Sequence, residues 1–349
     1  MANDLHLVGS IPYDTVEEVF NNFGAALGPH LTTIPDGEVG PRKHWISRVH
    51  YQVLAGHPQL EIVRFPEPVD GVEQQFPQNA GDSWLFKVRD GIDQVRFGDP
   101  GWRLGYARDA IYSYFVFKTL RDAGTLPGHL RFQVSMPSVI SALPPRIFPN
   151  PEDIAKVRQG YQESLAAELR TIIDKIPAGD LAIQWDCSTE MQDAYGAVPG
   201  YKRDGAVERN MSQFRTLSAL IPKEIMLGYH LCFGTLGGWP RFAPDDLSGA
   251  VEMANGFAEA SGRPVDWIHI PVLDRGDDAF FAPLANLDLQ GARIYLGAIH
   301  HMERYDERIA LARKYLPDFG VAAYCGMGRV PHDELSSVLD DHLKAAAGT

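Results

Sequence analysis

A (β/α)8 TIM barrel is the fold this sequence predicts, on three observations. Eight short apolar runs recur along the 349 residues, and segments with helical periodicity follow them. The runs are continuously apolar rather than alternating, as suits a parallel sheet covered by helices. Several helical segments also carry their own start signals. The chain reads as a single domain, 1–349, with a long insertion at 40–125 between the second and third strands. In such a barrel the active site lies at the C-terminal ends of the strands.

The first run, 5–12 (LHLVGSIP), leads into a helix over 15–27, and the second ends in Ile34-Pro35-Asp36-Gly37-Glu38. The remaining strands are expected at 130–136, 181–186, 224–232, 265–272, 292–299 and 321–325. Between the third and fourth, Asn150 reads as an N-cap, Pro151 as the first helical residue and Glu152 and Asp153 as first-turn acids. Ile154, Val157, Tyr161, Leu165, Leu169, Ile172 and Ile176 then form one apolar stripe. Tyr305, Ile309, Ala312 and Leu316 line one face of a later helix, with Glu303, Arg308 and Arg313 expected outside. A last helix spans 332 to about 346.

The insertion is rich in proline and aromatic residues and includes a helix expected over 104–123. Loops this long are usually functional, so it is expected to fold over the strand ends as a lid, offering Trp45, Trp84 or Trp102 to the site. The alternative is an elaboration that braces the barrel floor.

Composition narrows the function classes. With 45% hydrophobic and 22% charged residues the chain can bury a large core. No stretch approaches the roughly 20 apolar residues of a membrane span. A net charge of -13 disfavours a nucleic-acid partner. Three cysteines, an odd count, and the lack of an N-terminal apolar signal segment argue for a cytoplasmic protein with free thiols.

Those cysteines carry the chemistry. His230 and Cys232 are two apart in an apolar run, so in a strand they face one side. Cys325 closes another run far downstream. One imidazole and two thiolates form a donor set that Zn2+ selects, and three protein ligands leave a position open for catalysis. The competing reading is small core cysteines beside a hydrogen-bonded histidine. At the end of the second run, Asp36 and Glu38 precede Arg42-Lys43-His44-Trp45, a grouping able to orient a polar substrate or move a proton. Pro35-Asp36-Gly37 is equally a turn.

Four segments in order, Val8-Gly9-Ser10-Ile11-Pro12, Ile183-Gln184-Trp185-Asp186, Tyr229-His230-Leu231-Cys232 and Tyr324-Cys325-Gly326-Met327-Gly328-Arg329, resemble the catalytic barrel of cobalamin-independent methionine synthase. The resemblance covers the chain outside the insertion and corresponds to that enzyme's C-terminal barrel. It implies His230, Cys232 and Cys325 as zinc ligands, with zinc making a thiolate nucleophile of a thiol substrate. It places Ser10 near the amino-acid part of that substrate, Asp186 at an ammonium, and His300 or His301 at proton transfer. Tyr229, Arg329, Asp36 and Glu38 complete the expected substrate-binding set.

The chain also departs from the family. Pro271 stands where a glutamate ligand is expected, and the strand-four acid pattern becomes Asp186-Cys187-Ser188-Thr189-Glu190. The fourth ligand is left as Cys187, His269 or the substrate. Alternation places His269 opposite Ile268 and Ile270, between barrel and helices, as a satisfied core histidine. The leading expectation is a zinc-dependent methyl- or alkyltransferase acting on a thiol. A zinc-dependent lyase or demethylase cleaving a thioether or aryl ether is the alternative, and a metal-free barrel acting on an organic acid is a third. The donor stays open, a corrinoid included, as does a homo-oligomer.

Overall fold

The computed structural model describes residues 4–98 and 103–348. In chain order its strands are β1 (Leu5–His6), β2 (Thr33–Pro35), β3 (Leu60–Arg64), β4 (Leu85–Val88), β5 (Arg131–Pro137), β6 (Leu181–Cys187), β7 (Met226–Leu231), β8 (Trp267–Pro271), β9 (Arg293–Ile299) and β10 (Gly320–Ala323). β3 and β4 form a separate antiparallel hairpin. The other eight form one parallel sheet in the order β1-β10-β9-β8-β7-β6-β5-β2. Parallel bridges Leu5–Leu31 and Ser10–Gly37 join its two ends, closing the predicted TIM barrel.

The first strand is shorter than the expected run. Beyond His6 the chain climbs to the barrel mouth on irregular bonds, from Ile11 N–H to the Gly37 carbonyl at 2.8 Å and from Met327 N–H to the Ser10 carbonyl at 2.7 Å. These bonds seat Ser10 among the loops rather than in a ladder.

The barrel interior is polar. His6 Nε2 and Gln184 Oε1 meet at 2.8 Å although β1 and β6 are not neighbours, so the contact crosses the lumen. Gln184 also donates to the Val8 carbonyl at 2.6 Å and to Asp186 Oδ1 at 2.8 Å, and Trp267 Nε1 reaches Gln184 Oε1 at 3.3 Å. Buried polar groups are tolerable when each finds partners. The apolar core lies instead between strands and helices, where Ile183, Trp185, Leu227, Leu231, Ile268 and Ile270 are fully buried.

The helix Pro151–Lys175 starts as its sequence predicts, with the Asn150 side chain accepting from Glu152 N–H, and every residue of its predicted stripe is buried. The first helical segment begins with a capping box between Thr15 and Glu18 and passes through a π turn at Phe20–Gly24. In the helix Tyr305–Arg313, Arg308 corrects its expected exposure. It is 1% exposed, donating to the Ala298 carbonyl at 3.1 Å and to Asp274 at 2.8 Å. A helix face cannot be assigned from charge alone when a long side chain finds buried acceptors. Among the described residues no helix is long and apolar enough to cross a membrane.

The segment after β2 divides in two. Its last part, the helix Tyr106–Asp122, packs against Pro151–Lys175 and the first helical segment, so it belongs to the outer ring. The part before it carries short helical turns from Gly40 to Leu54 and the β3–β4 hairpin. Lys43 to Ser47 line a cleft that also holds the strand-end residues Asp186, His230 and Cys325. Trp84 is buried in the hairpin, with Nε1 on the Gln75 carbonyl at 3.0 Å. Trp102 lies outside the described residues.

Candidate metal centre

His230 in β7, Cys232 just past its end and Cys325 past the end of β10 converge at this cleft. Their donor atoms lie within 4.8 Å of one another. Cys232 Sγ is 3.3 Å from Cys325 Sγ, which is 3.7 Å from His230 Nε2. Zinc bonds of about 2.0 Å to nitrogen and 2.3 Å to sulfur imply tetrahedral edges of roughly 3.5 to 3.8 Å. The Cys232–Cys325 and Cys325–His230 separations lie within about half an ångström of these edges. Gly234 N–H donates to Cys232 Sγ at 3.3 Å and orients that sulfur. The neighbouring Cys232 thiol, and then burial, push Cys325 well above the ordinary thiol range. A divalent cation between the sulfurs would reverse that.

His269 is a correction to the sequence reading. Its ring points into the lumen, with Nδ1 2.7 Å from His230 Nδ1 and Nε2 3.0 Å from the Ala323 carbonyl. It is satisfied and fully buried, but on the inner face. The carbonyl only accepts, so Nε2 of His269 carries the proton and its Nδ1 must accept. Nδ1–H of His230 therefore donates, which leaves His230 Nε2 with its lone pair toward the cysteines. Burial, then the neighbouring His230 and His6, hold His269 well below the usual imidazole range and keep it neutral.

Acidic groups share the cleft. Asp186, 5% exposed at the end of β6, is raised well above the usual carboxyl range by burial and then by Glu38. Glu38 is pushed up to about 8 by burial and then by Asp36. Ser10 Oγ accepts from Gly328 N–H at 3.1 Å, and a Cβ on Gly326 would come within 2.4 Å of it. Glycine is thus required where the Cys325 loop crosses the segment that follows β1. Trp45, at φ 51° and ψ -120°, turns its indole into the same cleft beside Asp186. Such a backbone is strained for a bulky residue and persists where its surroundings impose it.

The two carboxylates after β2 take different parts. Asp36 accepts from Arg42 at 2.7 Å, from Ser113 Oγ and from Glu38 N–H at 2.9 Å, so it anchors the turn and does not line the cleft. Gly37 sits at φ 77° where an added Cβ would come within 2.5 Å of Val19 and 3.1 Å of the Ile11 carbonyl, so glycine suits the turn that places Glu38 in the cleft. Arg329 lines the cleft and bonds Thr235 Oγ1.

Tyr229 is a second correction. Strand alternation turns it away from His230, and its hydroxyl meets Ser218 at 2.8 Å and Ser261 at 2.6 Å in the outer layer. Cys187 is fully buried, its Sγ 3.9 Å from the Trp185 carbonyl, and is not part of the donor group. His300 Nε2 bonds the Gly297 carbonyl at 3.0 Å, and burial lowers its pKa to about 4. Neither it nor His301 lines the cleft, although His301 lines an adjoining open groove that shares Cys325 and Arg329. Sequence reasoning missed Arg146 and Arg241, which also line the cleft. Their signal was available: both are arginines in loops that follow strand C-termini, after β5 and β7.

No family model and no curated protein matches the chain. Solved structures do. A B12-independent methionine synthase from Shewanella sp. W3-18-1, in complex with selenomethionine, aligns with TM-score 0.60 and 12% identity over 100% of this chain and 97% of that one. A putative vitamin-B12 independent methionine synthase from Listeria monocytogenes aligns with TM-score 0.53 and 12% identity over 96% of this chain and 85% of that one. At this identity the likeness concerns fold, and the fold is a methionine synthase-like barrel.

Proposed function

We propose that this chain is a zinc-dependent methyl- or alkyltransferase acting on a small thiol. The observation that supports this reading most is the His230, Cys232 and Cys325 donor group, with the His230 tautomer set by His269, inside a cleft at the strand ends. Zinc held there would supply Lewis acidity that ionises a thiol near neutral pH. The protein's own groups would do the rest. Asp186 and Glu38 would hold an ammonium group of the substrate, Ser10 would fix its polar end, and Trp45 would exclude water. A thiolate so positioned attacks the alkyl group of a donor and the donor's leaving group departs with the bonding pair.

Pro271 in place of the expected glutamate favours one other reading, because three protein ligands leave room for water as well as a thiol. Under it the same site cleaves a thioether or aryl ether. Protein purified without chelators should carry close to one zinc per chain, and Cys325→Ser should lose most of it. Absence of zinc binding rejects both readings. Product analysis with and without an added thiol separates them, since turnover lacking any thiol acceptor supports cleavage.

A further inference from the structure

The cleft holds more positive charge than its own carboxyls account for. Lys43, Arg146, Arg241 and Arg329 all line it, and among the described residues none of the four is in an ion pair. This is not for want of acids in a chain of net charge -13. Arg42 is matched to Asp36, Arg121 to Asp180, Arg209 to Asp193 and Arg293 to Asp4, each at 2.7 Å.

Arg146 and Arg241 are the most constrained of the four. Arg146 Nε donates to Ser83 Oγ at 3.2 Å, and Ser83 is itself 1% exposed and bonded to the Ala80 carbonyl. The insertion therefore pins Arg146 from outside the barrel. The stem of Arg241 packs over Gly234, where an added Cβ would stand 3.0 Å from Arg241 Cβ, and its backbone N–H bonds the Gly234 carbonyl at 3.0 Å. Its guanidinium makes no hydrogen bond to any described residue. Burial, then the charge of Arg241, draws Arg146 down to about 9, so the two cations feel one another. Two partly desolvated guanidiniums that line one cleft, repel each other and have no ion-pair partner among the described residues are unfavourable alone and become favourable around an anion.

We propose that Arg146 and Arg241 form a binding site for an anionic group, a carboxylate or a phosphate, on one of the molecules that enters the cleft. Guanidinium forks suit both groups because each offers paired oxygens to bidentate donors. Asp186 and Glu38 in the same cleft would then leave a substrate carrying both an acidic and a basic end in a single orientation. The proposal rests on reading the cleft as the substrate chamber and not on the metal.

Titration calorimetry with succinate and, separately, inorganic phosphate tests it on zinc-loaded and zinc-depleted protein. Binding of either probe is expected, and Arg241→Gln should weaken it at least about tenfold, as should Arg146→Gln, without changing bound zinc. Preference for succinate assigns a carboxylate and preference for phosphate a phosphoryl group. Probe affinities that stay the same in both variants, or no binding of either probe by the parent protein, overturn the site. If zinc is absent yet the probes bind and depend on Arg241, the metal reading fails and this one stands.

Discussion

The Nδ1 atoms of His230 and His269 lie 2.7 Å apart, and the Ala323 carbonyl at 3.0 Å from the far side of His269 decides which one carries the proton. Removing His269, whose Nδ1 accepts from His230, should weaken metal binding without touching one of the three donor residues. In His269→Leu, His230 is free to place its proton on Nε2, and zinc affinity should fall about 10- to 100-fold. Competition against a chelator of known affinity measures this. Unchanged affinity would show that the tautomer is set elsewhere.

Glu38 predicts a pH dependence of the metal-free protein. With its carboxyl at about 8 in the fold against 4.5 for the free group, the folded state keeps a proton the unfolded chain has released. Stability from this group is fully present below about pH 4.5 and declines as pH rises to about 8. Glu38→Gln removes that decline. Its Tm should match the parent at pH 4 and exceed it by about 2–4 °C at pH 8.5. A constant difference across the range would contradict the shift.

Gln184 joins β1, β6 and β8 across the lumen. Gln184→Leu should cost ~3 kcal/mol, because His6 Nε2, Trp267 Nε1 and the Val8 carbonyl lose a partner where water cannot easily replace it. Urea denaturation reads the loss directly. A neutral result would mean that the lumen admits water.

Tyr229→Phe tests the reassignment of that residue to the outer layer. Losing the hydroxyl contacts to Ser218 and Ser261 should lower stability by about 1–2 kcal/mol. Zinc content and probe binding should stay at parent values. A selective loss of ligand binding at unchanged stability would return Tyr229 to the cleft.

Much of this molecule was legible in its sequence because it follows from short-range periodicity. The apolar runs announce buried parallel strands, Asn150-Pro151-Glu152-Asp153 announces a helix start, and His230 and Cys232 share a face because strand side chains alternate. Alternation also argued against Tyr229, whose motif drew it into the expected site all the same. What the sequence could not supply depends on closure of the sheet. Closure brings β1 across from β6 so that His6 meets Gln184, and it sets the β8 register that pairs His269 with His230. It also decides that Arg146 and Arg241, almost a hundred positions apart, line one cleft with Asp186. Local pattern determines which way a side chain leaves its own strand. Only the closed barrel determines what it meets there, because the distance across the lumen is set by all eight strands together.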